Sequence, residues 1–444
     1  MTGPAKSKSL AELGLTAQGG REARVTGLSV DSRQVKPGHL FAALPGTRVH
    51  GGEFIQYALR MGAAAILTDA EGARIARAEL ARSDAALILA EDPRQTLAYT
   101  AALWFGAQPG VVVAVTGTNG KTSVATFTRQ IWDLLGRKAA NMGTTGVEGA
   151  YTAPMTHTTP EPITLHRLLA EMADAGVTHA AMEASSHGLA QRRLDGVQLT
   201  AAAFTNFTQD HLDYHASFDE YFAAKAGLFA RVLPEDGTAV INLDDPRGPE
   251  MAEIAQTRGQ TLITVGRSDA AELRLLGQRF DATGQEIRFD WQGKAHHARL
   301  SLIGGFQAEN VLAAAGLAIA SGEAPAHVFD ALPDLIGPRT KAIVLVTPSN
   351  PTGVILPEEA LRAVARIARA NNLLIVVDDP YSHFVYGGSE RFFNLAADAS
   401  IADRLAYLFT FSKAYAMSGW RAAYMVVPEA LRDDLVKIHD LTMI

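Results

Sequence analysis

The chain has 444 residues, 48% hydrophobic and 20% charged, with a formal net charge of −7 and no cysteine. That length predicts roughly two to four domains of ordinary globular composition. The acidic balance gives no basic footprint for nucleic acid, and the lack of cysteine excludes disulfides and thiolate metal sites and suits a cytoplasmic location.

Met1 to Leu10 carries lysines without a following apolar core, so no secretory signal is expected. No run approaches the ~20 apolar residues of a membrane span. From Val25 to about Gly110, apolar runs at His39–Leu44, Ala63–Leu67 and Ala85–Ala90 alternate with helical stretches at Tyr57–Gly62 and Arg94–Phe105. This predicts a small α/β domain, closed by the turn Gln108-Pro109-Gly110. Buried-strand candidates follow at Val111–Val115, Thr178–Met182, Ala201–Phe204 and Thr238–Asn242. Between them lie helices at Ser123–Leu135, Leu165–Ala175 and Phe218–Leu228, and Ala-rich Asn310–Ser321 closes the unit. Alternation of this kind predicts a doubly wound, mostly parallel sheet. A third unit begins near Pro338, with strands Ala342–Thr347, Leu373–Val377 and Leu405–Thr410 and a helix Pro357–Asn371. The expected domains are thus 1–109, 110–337 and 338–444.

Val113 to Ser123 reads V-A-V-T-G-T-N-G-K-T-S. An apolar strand runs into a Gly turn and then a helix. Backbone N–H groups from Thr116, Gly117, Thr118, Asn119, Gly120 and Ser123 suit phosphate oxygens, Lys121 offsets their charge, and the Thr122 hydroxyl suits Mg²⁺. A nucleoside triphosphate is the expected ligand. The general pattern wants glycine at Val115; here it stands at Gly117.

That shortened turn resembles the Mur ligases of peptidoglycan synthesis, and other segments resemble their tripeptide synthetase (MurE-type) subgroup over about residues 20 to 337. They are V-D-S-R from Val30, T-T-P-E from Thr158, E-A-S-S-H-G-L from Glu183, and Gln191 with Arg193. Further on stand T-N-F-T-Q-D-H-L-D-Y-H from Thr205, A-K-A-G-L-F from Ala224, and N-L-D-D from Asn242. The resemblance implies ATP-dependent amide ligation through an acyl phosphate. A diamino acid, meso-diaminopimelate by family prevalence, would join UDP-MurNAc-L-Ala-D-Glu. It implies catalytic roles for Lys121, Glu183, His211 and Lys225, and metal contacts from Thr122, Glu183, His211 and a carbamylated Lys225. It places Val30, Ser32, Thr47, Arg48 and Val49 at the UDP end, and Thr158, Thr159, Ser185, Gln191 and Arg193 at the muramoyl peptide. Read singly, the same residues allow plainer roles. Glu183 would cap a turn, His187 and His211 would be satisfied hydrogen-bonding groups, and Lys225 would be a solvated helix residue beside Tyr221 and Phe229.

After Gly337 the family's Rossmann-like third domain is not legible. The segment instead resembles a fold-type I, pyridoxal-phosphate-dependent aminotransferase: N-P-T-G from Asn350, Asp378 with Tyr381, then T-F-S-K from Thr410 and G-W-R from Gly419. That resemblance implies pyridoxal phosphate contacts from Asn350, Asp378, Tyr381, Thr410, Lys413 and Arg421. The pieces cover only the middle of such an enzyme, so 338–444 is expected to be inert, with apolar strand faces left open. The favoured expectation is a peptidoglycan-precursor ligase with ATP and Mg²⁺ whose turnover is impaired. The rivals are a transaminase and a non-catalytic binder of nucleotide and UDP-sugar.

Overall fold

The computed structural model describes residues 7–46, 49–208, 217–281, 284–302, 304–335, 342–349, 353–370, 372–386, 392–420 and 422–442. They divide into two compact units. The first comprises Met1–Gly277, Arg288–Ala298 and Gly305–Leu332; the second comprises Gln278–Ile287, Arg299–Gly304 and Pro333–Ile444.

The first unit begins with a four-stranded parallel sheet. Its strands are β1 (Gly27–Ser29), β2 (His39–Ala42), β3 (Ala65–Thr68) and β4 (Ala86–Leu89), paired in chain order. Alternate side chains feed two apolar layers, because successive residues of a strand point to opposite faces. Leu40, Ala42, Leu67 and Ile88 meet Leu97 and Trp104 on one face. Phe41 and Ile66 meet Ile55 and Ala58 on the other. The helices responsible are α1 (Ile55–Arg60) and α2 (Pro93–Phe105). Asp92 starts α2 by accepting a hydrogen bond from the Gln95 N–H, and Pro93 sits in its first turn, where a missing N–H costs nothing.

The second sheet holds β5 (Val111–Thr116), β6 (Ala139–Gly143), β7 (Gly146–Gly149), β8 (His179–Glu183), β9 (Ala201–Phe204), β10 (Thr238–Asn242) and β11 (Thr261–Gly266). Their order is β11-β10-β9-β5-β8-β6-β7, parallel except for β7 against β6. The connections carry α3 (Lys121–Leu134), α4 (Pro162–Asp174), α5 (Ser186–Ala190), α6 (Phe218–Gly227) and α7 (Gly248–Thr257). Strand order reverses at β5, which lies between β8 and β9. In open α/β sheets a crevice opens beyond the carboxyl ends of the strands at such a point. Three longer strands follow, β12 (Leu273–Asp281), β13 (Gly284–Trp291) and β14 (Lys294–Leu300), with β12 beginning alongside β11. Helix α8 (Phe306–Ala320) buries Val311, Leu312, Ala315 and Leu317.

The second unit has its own sheet, ordered β15 (Ala342–Val346), β16 (Leu374–Asp379), β17 (Leu405–Thr410) and β18 (Ala423–Val426), the first three parallel and β18 antiparallel. Helix α9 (Glu358–Ala370) covers one face through Leu361, Val364, Ala365 and Ala368 against Ile375, Val377, Tyr407 and Phe409. Val344 is 66% exposed and Trp420 78%, and Met425 and Val426 are exposed as well. The expected open apolar surface is present. No helix among the described residues is long and apolar enough to cross a membrane.

The α/β, mostly parallel architecture matches the expectation. Boundaries move by up to four residues: α3 begins at Lys121 rather than Ser123, α4 at Pro162 rather than Leu165, and α8 at Phe306 rather than Asn310. Among the labelled elements, strands β1, β6, β7, β11 to β14 and β18, and helices α5, α7 and α10 (Glu429–Thr442), went unforeseen.

Candidate phosphate-binding site

The carboxyl ends of β5, β6 and β8 converge on one cavity of about 330 Å³, lined by Thr118 to Thr122, Thr144, Thr158, Glu183, Ser185, Ser186 and Lys225. The turn out of β5 demands glycine twice. Gly117 has φ +145°, and a Cβ there would stand 1.9 Å from Thr205 Oγ1. Gly120 has φ +88° and presses against Asn310 Oδ1, 2.5 Å from where a Cβ would lie. The turn is held from behind by the segment after β9. Thr118 N donates to Asn206 O at 2.9 Å, Asn119 N donates to Asn206 Oδ1 at 2.8 Å, and Thr205 Oγ1 donates to Asn119 O at 2.6 Å. The Thr116 hydroxyl is fully buried without a hydrogen-bond partner among the described residues.

Glu183, at the end of β8, is 2% exposed. Its Oε1 accepts from Thr122 Oγ1 at 2.9 Å and from Thr144 N at 2.9 Å. Gly143 leaves room for it: a Cβ there would fall 1.9 Å from Oε1. A carboxylate and a hydroxyl in a glycine-lined cradle fit a hard divalent cation such as Mg²⁺. Lys225, on α6, is 1% exposed, so the plain reading of it as a solvated helix residue is wrong. Its Nζ donates to Gly117 O at 2.7 Å and lies 4.4 Å from the Tyr221 ring centroid. Lys121 Nζ donates to the same Gly117 carbonyl at 3.0 Å and to Thr118 O at 2.9 Å. Two ammonium groups therefore share one backbone oxygen at the turn. Tertiary packing of α6 against α5 and the turn, not any helix periodicity, buries Lys225.

The residues expected at the muramoyl peptide lie in the segments that follow. Thr144 Oγ1 and Thr158 Oγ1 are 3.1 Å apart. Thr159 is buried and its hydroxyl is committed to the backbone: it donates to Glu183 O at 2.9 Å and accepts from Ser185 N at 3.1 Å. Ser185 Oγ caps α5 by accepting from Gly188 N at 3.0 Å. Arg193 Nη1 donates to Thr159 O at 2.6 Å, and its Nη2 donates to Gln191 Oε1 at 2.7 Å. In the N-terminal domain, Val30, Ser32 and Val49 line a separate cavity of about 980 Å³ with Arg33, Phe54 and Tyr57. His211, Thr47 and Arg48 lie outside the described residues, as do Asn350 and Arg421.

Asp244 and Asp245 close a structural turn. Asp245 Oδ2 accepts from Phe207 N at 2.7 Å, and Asp244 accepts from Arg267 N and Ser268 N. Asn310 was missed. The available signal was a buried amide within the Ala-rich α8, since such a group needs a polar partner.

In the second unit, Asp378 lies within β16, paired with Leu408 of the adjacent β17, and Tyr381 follows β16; Thr410 ends β17 and Lys413 follows it. Burial and the neighbouring Asp379 push the Asp378 carboxyl above its ordinary range. Lys413 is exposed, and Thr410 Oγ1 accepts from Ser412 N at 3.2 Å as a helix cap. An exposed lysine does not fit the enclosed Schiff-base position of a pyridoxal phosphate site.

Residues 115–318 match the Mur ligase middle domain, 24–104 the Mur ligase family catalytic domain, and 310–443 the aminotransferases of class I and II. The UDP-N-acetylmuramoyl-L-alanyl-D-glutamate--2,6-diaminopimelate ligase of Caulobacter vibrioides is 48% identical over 320 residues, covering 70% of this chain and 64% of that protein. Its counterpart in Mesorhizobium japonicum is 46% identical over 318 residues, covering 70% and 63%. The chain thus spans a little under two thirds of the length of these relatives. A solved structure of a ligase of the same name superposes with a TM-score of 0.66 at 24% identity, covering 94% of this chain and 91% of that one. MurF from Acinetobacter baumannii superposes with 0.53 at 16%, covering 95% of each; at these identities the likeness is one of fold. The chain therefore carries two Mur ligase domains in succession, in the Mur ligase fold, followed by a segment that matches class I and II aminotransferases.

Proposed function

We propose that the chain is an ATP-dependent amide ligase of peptidoglycan-precursor synthesis, acting on UDP-MurNAc-L-Ala-D-Glu and meso-diaminopimelate. The observation that carries this is the meeting of Thr122, Glu183 and buried Lys225 at the Gly117–Thr122 turn. The choice of diaminopimelate is supported by the names of the relatives. A carboxylate oxygen of the muramoyl peptide attacks the γ-phosphorus of ATP, and ADP leaves. The amine of the diamino acid then attacks the acyl carbon, phosphate leaves, and the nitrogen loses a proton. Bound between Thr122 and Glu183, Mg²⁺ would offset the phosphate charge. The backbone N–H groups of Gly120, Lys121 and Thr122 orient the phosphates; those of Thr118 and Asn119, expected to do so, are spent on Asn206. Lys121 moves from its own loop carbonyls to the phosphate oxygens. Arg193 and Gln191 orient the muramoyl peptide, with Thr158 beside them. Thr159 positions the end of β8. The UDP end occupies the cavity at Val30, Ser32 and Val49, with Thr47 and Arg48 next to it in sequence.

His211 and a carbamylated Lys225 belong to this reading by resemblance. So do the domain limits 1–109, 110–337 and 338–444 and a cytoplasmic location. The similarity to the relatives stops after about 320 residues, so we assign the chain intact nucleotide binding and strongly reduced turnover. The test is ADP release by the purified chain with ATP, Mg²⁺, the UDP-dipeptide and diaminopimelate. Weak release requiring both acceptors, with ADP binding intact, is expected. Failure to bind ADP sinks the reading, and release at rates ordinary for such ligases sinks the claim of impairment.

A further inference from the structure

The loop after α5 carries an unusual residue. Gln191 is the C-cap, and Arg192 follows with φ +59°, in the left-handed region. Arg192 N donates to Leu189 O at 3.2 Å, and Arg193 N donates to Gly188 O at 2.8 Å. This is the Schellman arrangement, whose left-handed position is usually glycine because a Cβ is strained there. An arginine therefore needs a reason that lies in its side chain. Arg192 Nε donates to Asp92 Oδ2 at 2.8 Å. Asp92 is the N-cap of α2, in the N-terminal domain. Two residues beyond Arg193, buried Asp195 accepts from Gln95 Nε2 on the same α2 at 3.0 Å and from Arg231 Nε at 3.0 Å. Arg231, in the turn continuing α6 beyond Lys225, also donates to Leu189 O at 2.9 Å. The loop thus faces two ways: Arg193, bonded to Gln191, toward Thr159, and Arg192 and Asp195 toward α2.

We propose that Arg192 is a positioning residue: its ion pair with Asp92 holds the left-handed turn that presents Arg193 beside Thr159, and so sets the grip on an anionic muramoyl peptide. The proposal rests on the ligase reading for its ligand, but the geometry of the turn stands without it. Both partners are about one-third exposed, so the pair contributes modestly.

Four variants separate the roles. Arg192→Gly relieves the backbone and removes the pair. Arg192→Lys keeps the charge. Asp92→Asn keeps the helix cap, since asparagine caps as well as aspartate. The fourth combines Arg192→Gly with Asp92→Asn. Calorimetry on the full chain should show affinity for UDP-MurNAc-L-Ala-D-Glu falling about three- to fivefold in Arg192→Gly and Asp92→Asn, as expected for losing one partly exposed pair. The double variant should fall no further, Arg192→Lys should be partly rescued, and ADP affinity should not move. Wild-type affinity in Arg192→Gly, or an equal loss for ADP, overturns the proposal. Hydrogen exchange supplies a readout that needs no ligand. In Asp92→Asn the Arg192 and Arg193 amides should exchange faster while the Gln95 amide stays protected; unchanged exchange overturns the positioning. If the wild-type chain binds no muramoyl peptide, the ligase reading falls, and exchange alone decides the turn.

Discussion

His166 lies on α4, 3% exposed, with Nε2 3.4 Å from Asp195 O. Burial lowers its pKa to about 4, against a small opposing effect of that carbonyl. In an unfolded chain a histidine titrates near ~6.5. Above that pH both states are neutral and the group has no effect. As pH falls below it, only the unfolded chain takes up the proton, until the folded group also titrates near the lower value. The folded state is therefore destabilised progressively, by about 2 kcal/mol at pH 5 and about 3 kcal/mol at pH 4. His166→Gln keeps an N–H donor for Asp195 O and removes the titration. The assay is the opening free energy of α4 from hydrogen exchange at pH 7, 6 and 5, in wild type and variant; it follows this domain whatever the second unit does. Carboxylate titrations are common to both proteins and cancel in the difference. The wild type should lose about 2 kcal/mol more than His166→Gln between pH 7 and 5. Parallel profiles would refute the assignment of a neutral, buried imidazole.

Three further outcomes test the site. Glu183→Gln should weaken binding of Mg²⁺-ADP by about tenfold and leave metal-free ADP nearly unchanged, because it removes a charged oxygen ligand; equal losses would remove the metal from Glu183. Gly117→Ala should lower stability by about 1–3 kcal/mol in thermal unfolding, because the new Cβ meets Thr205 Oγ1. A variant as stable as wild type would contradict the packing of that turn. Pyridoxal phosphate should give no tight, saturable absorbance band dependent on Lys413, since an exposed lysine holds the aldehyde only as a loose imine open to water; a saturable band lost in Lys413→Ala would reverse the conclusion.

The turn at Gly117–Thr122 was legible because its chemistry is local. A strand, two glycines and a lysine at short spacing specify a backbone shape before any tertiary contact forms. Strands β9, β10 and β17 were read at their observed limits because short apolar runs between turns have one stable use in an α/β protein. Strands β12 to β14 were not, although in β13 Ile287, Phe289 and Trp291 alternate with Glu286, Arg288 and Asp290 at the period of a half-buried strand, so that signal was present in the sequence. The open face at Val344 and Trp420 was foreseen from what the segment lacked as a partial enzyme. The aminotransferase-like motifs pointed to a cofactor that the placement of Lys413 does not accommodate.

The sequence by itself determined which groups are chemically suited to phosphate, carboxylate and cation, and the alternation that winds a parallel sheet. Both follow from residue type and spacing along one chain. Only the tertiary structure decided that Lys225 is buried on the Gly117 carbonyl, that Asn310 backs Gly120, and that Arg192 reaches across to Asp92. These contacts join residues far apart in sequence. Their free energy arises when helices pack against the sheet and exclude water, and no local pattern records where that packing places a long side chain.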